Sequence, residues 1–94
     1  SVNIWFEGKR DTEVKLHVRA ETAQYFKNKT YFPLQKIEKE NKDGSLILIC
    51  KIAKFAEIRP IILHWIPWIK VISPQSLCDE VKNAVQDYLT EITG

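Results

Sequence analysis

The residues able to carry chemistry are few and stand apart. The two histidines, His17 and His64, fall in different segments of a 94-residue chain. Neither has a Cys, Ser or Asp beside it in a nucleophile pattern. His17 reads as a solvent-side strand residue and His64 as a helix-flank residue. Cys50 and Cys78 form no CxxC pair and no Cys/His group, so they read as small buried apolar residues and not as a disulfide or metal pair. The three glycines, Gly8, Gly44 and Gly94, exclude a Gly-rich phosphate loop. Glu38 and Glu40 share a strand face in the manner of an acid–base pair. They lie among Lys36, Lys39 and Lys42, where the desolvation needed to raise a carboxyl pKa is not expected. The chain therefore reads as non-enzymatic, with no catalytic residue, metal site or cofactor.

Binding is the remaining class. Fourteen Lys and Arg against twelve Asp and Glu leave a net charge of +2, and the cations are dispersed. A nucleic-acid binder normally gathers them on one face. Hydrophobic residues at 45% and charged residues at 28% are globular proportions, so disordered and fibrous classes are excluded. The longest apolar runs, Leu46 to Cys50 and Ile61 to Leu63, are far short of the roughly 20 residues of a membrane span. No secretory leader is visible, and the cytoplasm is the default compartment.

The elements that position these residues follow from periodicity. Residues 1–12 form a leading segment, with the apolar trio Ile4, Trp5 and Phe6 followed by a polar turn from Glu7 to Thr12. Glu13 to Ala20 alternates Val14, Leu16 and Val18 with Lys15, His17 and Arg19, the period of a half-buried strand. Glu21 to Lys29 reads as a short helix with Thr22 near its start. Pro33 to Lys42 is polar enough to be an edge strand. Asp43-Gly44 then predicts a type I′ hairpin turn, with positive φ at both residues, into Ser45–Lys54. That second arm is apolar on both faces, as suits a central strand.

Phe55, Ile58, Ile61, Ile62 and Trp65 recur at helical spacing, with Pro60 admissible only near the first turn. Pro67 ends that helix, and Ile69 to Ser73 is a short strand. Ser73 is the expected N-cap of the last helix and Pro74 its first residue. Asp79 and Glu80 lie near the positive end of its dipole. The stripe Leu77, Val81, Ala84, Val85, Tyr88, Leu89 and Ile92 stays on one face for about four turns. The order strand–helix–strand–strand–helix–strand predicts an α+β, ferredoxin-like sandwich with an added C-terminal helix. Its first and third strands should be central and its second an edge.

Two surfaces are then candidates for contact. Sheets of this kind stack RNA bases on aromatic residues of the central strands, and Leu46 to Lys51 offers none. What the open face offers is Lys15, His17 and Arg19, joined by Lys51 and the aliphatics Ile47 and Ile49 unless the last helix covers them. The second surface is aromatic. Trp65 is in phase with the core stripe, whereas Trp68 lies past the proline. Trp68 and Trp5 suit the edge of a domain that packs against another, because Trp is enriched in binding hot spots.

Several stretches together resemble a known family. They are Glu13-Val14-Lys15-Leu16-His17-Val18, the Asp43-Gly44 hairpin, Phe55-Ala56-Glu57-Ile58 leading into Trp65, and Val71-Ile72-Ser73-Pro74-Gln75-Ser76-Leu77. Over residues 3–92 their order and spacing resemble the C-terminal extension domain of WYL-domain transcriptional regulators. That family has a V-x-P-x-x-L step before its final helix, matched by Val71, Pro74 and Leu77 with one residue added. Where the family usually has a glycine near the end of the second helix, this chain has Ile66-Pro67.

The resemblance implies a bacterial regulator of three parts. A winged helix-turn-helix would bind DNA, an SH3-like WYL domain would sense a ligand, and this extension would supply dimer contacts and a share of effector sensing. Some members take single-stranded DNA or other nucleic-acid effectors. No Trp-Tyr-Leu triplet occurs here, so the sensing domain's own basic residues cannot be carried over. The expectation is thus one domain over residues 1–94, a piece of a longer protein. It would be a regulatory and oligomerisation domain that homodimerises and reaches DNA only through its parent. Its partners would be the parent's helix-turn-helix and WYL domains, with a nucleic-acid or small-molecule effector and no membrane. The alternative is a free-standing ferredoxin-like sensor that binds a metabolite at a dimer interface.

Overall fold

Val14, Leu16 and Val18 are fully buried while Lys15 and His17 are half-buried and Glu13 is exposed. This alternation is strand β1, Thr12–Val18. The chain then runs through α1 (Ala20–Asn28), β2 (Lys36–Glu40), β3 (Leu46–Ile52), a 3-10 turn (Phe55–Glu57), α2 (Arg59–Trp65), β4 (Ile69–Ser73) and α3 (Gln75–Thr93). The computed structural model describes residues 10–93. Most of the leading segment, with Trp5, lies outside the described residues. At its inner end Thr12 already belongs to β1, paired with Ile52.

The four strands form one antiparallel sheet in the order β2-β3-β1-β4. The fold is α+β and ferredoxin-like with an added C-terminal helix. β1 and β3 are central, and β2 is an edge exposed along its whole length. One sheet face meets the helices around Leu16, Leu46, Leu48, Cys50, Ile58, Ile62 and Leu77. Burial at about 25 cal/mol per Å² of apolar surface is the main force holding the layers together.

Local details depart from the sequence reading where a single residue changes the period. The hairpin forms, but only Gly44 has positive φ, at 92°, so the turn is not type I′. Gly44 N–H donates to the Asn41 carbonyl at 3.0 Å and Asn41 N–H to the Ser45 carbonyl at 2.8 Å. This is a type I turn closed by a left-handed glycine, the usual three-residue hairpin. The Asp43 carboxylate fixes it by accepting from Ser45 N–H at 2.9 Å and Ser45 Oγ at 2.6 Å.

The edge strand is shorter than Pro33–Lys42. Leu34 takes a left-handed φ of 53°, and Gln35 ties the preceding loop together. Its Oε1 accepts from the N–H groups of Tyr31 and Phe32, and its Nε2 donates to the Phe26 and Lys29 carbonyls. Phe32 is thereby held in the core. Within β2 the register shifts between Ile37 and Lys39. The bulge puts Glu38 and Glu40 on opposite sides, so they do not share a face. Glu38 pairs with Lys15 at 3.3 Å, and Glu40 with Lys27 of α1 at 2.6 Å.

The helix expected from Phe55 to Trp65 is divided. Pro60 has no N–H to continue a helical ladder, and it occupies the first turn of α2 behind the separate 3-10 turn. At α3, Ser73 stays in β4 opposite Lys15. Pro74 is therefore the capping position, and its carbonyl accepts from the N–H groups of Leu77 and Cys78. The first turn of α3 holds no acid. Asp79 instead accepts from Gln75 Nε2 and Glu80 pairs with Arg59 at 3.0 Å, because the dipole's influence fades within that turn. The apolar stripe of α3 also parts company with burial. Leu77 and Val81 are buried, Val85 is partly buried, and Tyr88, Leu89 and Ile92 are exposed.

Candidate interaction surfaces

β1 and β3 place the first candidate surface. Cross-strand register sets His17 opposite Ile47, Lys15 opposite Ile49 and Glu13 opposite Lys51, while on the other side of β1 His17 faces Lys70 of β4. Lys15, His17 and Lys51 thus stand on the sheet face away from the helices. α3 does not cover that face, since its buried residues Leu77 and Val81 join the helix-side core with Ile62 and Val71. Ile47 and Ile49 are nevertheless half-buried. Lys15 reaches across β3 to Glu38 on β2, with Nζ 3.3 Å from the carboxylate.

This face is net positive, because Lys36 and Lys39 of β2 stand beside Ile49 and Ile47 and Lys70 of β4 beside His17, with Glu13 and Glu38 as the facing carboxylates. Lys15 has Glu38, and Lys51 has Glu13 opposite it. Asp43, at the hairpin end near His17, is held below the usual carboxylate value of 3.8, chiefly by hydrogen bonds from the Ser45 side chain and backbone. The half-buried aliphatics of the face, Ile47 and Ile49, give it an apolar centre that can pack against another protein.

Arg19 does not belong to the sheet. β1 stops at Val18 because Arg19 is the capping position of α1, with φ −65° and ψ 152°. Its N–H donates to the Trp68 carbonyl at 2.9 Å, so Arg19 lies beside Trp68 at the domain's end. The Trp68 N–H donates to the Trp65 carbonyl at 2.7 Å, and its ring is partly exposed. Trp65 packs on the core within an aromatic group of Tyr25, Phe26 and Tyr31, and His64 lies edge-on to it. His64 is exposed at that flank.

Neither cysteine is bonded. Cys50 is fully buried in the core, and burial pushes its thiol up to about 12, with the negative charge of Glu57 adding to the effect. It is protonated and inert at neutral pH. Cys78 is half-buried in the wall of a furrow between β4 and α3. Among the described residues no group of His, Cys, Asp and Glu could hold a metal ion, and no helix is long and apolar enough to cross a membrane.

The sequence reading passed over two parts of these surfaces. Lys70 and Ile72 join the open face from β4, and the alternation Ile69-Lys70-Val71-Ile72 carried that signal. Leu63 on α2 faces the distal stripe of α3 across a second furrow, a pairing that spacing within one helix cannot reveal.

The described residues thus form a ferredoxin-like sheet with one open amphipathic face and a helix packed on β4. The WCX domain family matches residues 10–89, and the chain belongs to it. WCX is the C-terminal domain of WYL-containing regulators, a family of regulator-associated domains and not of enzymes. No curated protein matches the chain.

Proposed function

We propose that this domain couples effector sensing to dimerisation within a WYL-type transcriptional regulator without reading DNA itself. The open sheet face carries the reading. It holds Lys15, His17 and Lys51 around the half-buried Ile47 and Ile49, with Lys36, Lys39 and Lys70 beside them and Glu13 and Glu38 as partial counter-charge. Such a surface suits a neighbouring domain whose position an effector changes. Arg19 and Trp68 form a separate patch at the domain's end, where the parent's WYL domain would seat, with Trp5 of the leading segment assigned to the same boundary.

The test is a Lys15→Ala/Arg19→Ala/Lys51→Ala variant of the intact regulator, read as effector-dependent promoter binding. The expected result is a weakened effector response with DNA affinity retained in the effector-independent state. An unchanged response reduces these residues to solvated surface. The open reading frame separates this reading from a free-standing metabolite sensor. Upstream helix-turn-helix coding sequence supports the regulator, and a start codon immediately before Ser1 sinks it.

A further inference from the structure

We propose that the aromatic hollow between α2 and the loop after α1 binds a small planar aromatic acid, with its ring on Trp65 and its carboxylate at Lys29. This site is separate from the sheet face and from the Arg19–Trp68 patch, and it does not depend on the role assigned to either. Phe26 and Phe32 are the buried members of the aromatic group, stacked at 6.1 Å. Tyr31 and Trp65 pack on the core but are only half-buried. Together with Pro60, Ile61 and His64 of α2 they line an open hollow of about 360 Å³. That volume lies within the range of small-molecule sites, which combine apolar and aromatic walls with a few polar groups.

The geometry selects a flat ring. Tyr31 meets Trp65 at 5.4 Å with 70° between their planes, and His64 meets it at 5.4 Å with 84°. Rings set at such steep angles form corners. An added ring stacks on one of them and turns its positive edge to the face of the next. A saturated ring of similar size buries comparable apolar area and gains neither contact. Charge selects an acid. Among the described residues no carboxylate lines the hollow. Lys29 Nζ stands 5.4 Å from the centre of the Tyr31 ring, and no described carboxylate pairs with it. A ligand carboxylate accepts a charge-assisted hydrogen bond from that ammonium. His64, exposed in the wall of the hollow, offers a second donor.

Titration of the 94-residue chain with naphthoate, followed by heteronuclear NMR, should shift the Trp65 indole N–H and the Tyr31, Ile61 and His64 amides together. The expected dissociation constant is about 1 mM or below. Naphthamide keeps the flat ring and loses the charge, whereas decahydronaphthoate keeps the charge and loses the flat ring. Each should bind several-fold more weakly. Lys29 is exposed, so Lys29→Gln should leave the fold intact. It should weaken naphthoate about threefold or more while leaving naphthamide unchanged. No shift at millimolar naphthoate overturns the site, and so do shifts centred on the α2–α3 furrow or the sheet face. Equal affinity for naphthamide, or indifference to Lys29→Gln, overturns an acid as the ligand. Shifts at the same residues with a polyproline peptide but none with naphthoate overturn it too, by making the hollow a peptide groove. None of these results bears on the regulatory reading, which stands on the effector response of the sheet-face variant.

Discussion

The two edges of the sheet solve the same problem in different ways. β2 presents Lys36, Glu38, Lys39 and Glu40, every residue exposed, with a bulge that breaks its register. Charge and irregularity stop another strand from adding to such an edge. β4 reads Ile-Lys-Val-Ile-Ser, too apolar to be protected by charge, and α3 packs along it instead. The first edge is complete in itself. The second carries its cover but also carries apolar surface beyond what covering needs, since α3 runs on past Val81 with its stripe exposed. The contrast is one of protection: one edge is guarded by charge and a bulge, the other by a helix whose apolar stripe outruns the sheet it packs on.

The contrast can be broken within α3 itself. Leu77 is fully buried and pins the helix to the core, so Leu77→Ala should cost ~2–5 kcal/mol of stability by chemical denaturation. Leu89→Ala in dilute solution should change stability by no more than ~0.5 kcal/mol. Equal losses would mean that the distal stripe already belongs to the folded core, and the difference between proximal and distal halves would vanish.

A second and smaller effect is expected at the hairpin that delivers β2. Gly44 has φ 92°, and a Cβ built there would lie 3.3 Å from the Ala20 Cβ. A non-glycine residue in left-handed backbone costs roughly 1–2 kcal/mol, and the close approach to α1 leaves little room to relax. Gly44→Ala should lower the denaturation midpoint accordingly, with the loss seen first as faster amide exchange in β2. Unchanged exchange there would show that the edge does not depend on its turn.

Much of this architecture was legible in the sequence, and the reasons are physical. Period-two burial in β1, two-sided apolarity in β3 and polarity in β2 report where each strand sits, because each pattern is imposed by what lies on either side. The Asp-Gly pair gave the hairpin but not its turn type, which depends on whether one residue or two adopt positive φ. What escaped was set by tertiary contact. Gln35 ties the loop after α1 through four hydrogen bonds to groups that local spacing does not mark. The β2 bulge reverses the sides of Glu38 and Glu40. Arg19 continues the alternation of β1 by type, but the start of α1 takes it off the sheet. Of the candidate contact residues, Lys15, His17 and Lys51 share a face as expected, Trp68 joins Arg19 elsewhere, and Trp5 lies outside the described residues.

The ion pairs along β2 supply a weaker test. Lys27–Glu40 at 2.6 Å is partly exposed at both partners, and such pairs contribute about 0.2–1 kcal/mol. A double-mutant cycle with Lys27→Met and Glu40→Gln should give a coupling in that range, falling with added salt. A coupling well above it would make the β2 edge depend on α1 and weaken the claim that charge alone completes it.

The smallest effect expected is a pH dependence at the same hairpin. Asp43 is held below its ordinary carboxylate value of 3.8 by hydrogen bonds from the side chain and backbone of Ser45. A depressed folded-state pKa means that the ionised form favours the folded hairpin. That contribution is fully present above the unfolded value near 3.8 and is lost as pH falls through the lower folded value. An NMR titration should place the Asp43 carboxyl midpoint below 3.8, with the Ser45 amide following the same midpoint. Ser45→Ala should return the carboxyl toward its ordinary value, because the largest stabilising hydrogen bond is then gone. β2 amide protection should fade only in that acidic window, while α3 along β4 is unaffected by Asp43. Loss of protection at both edges together, at the Asp43 midpoint, would show that the two edges unfold as one unit and are not guarded independently.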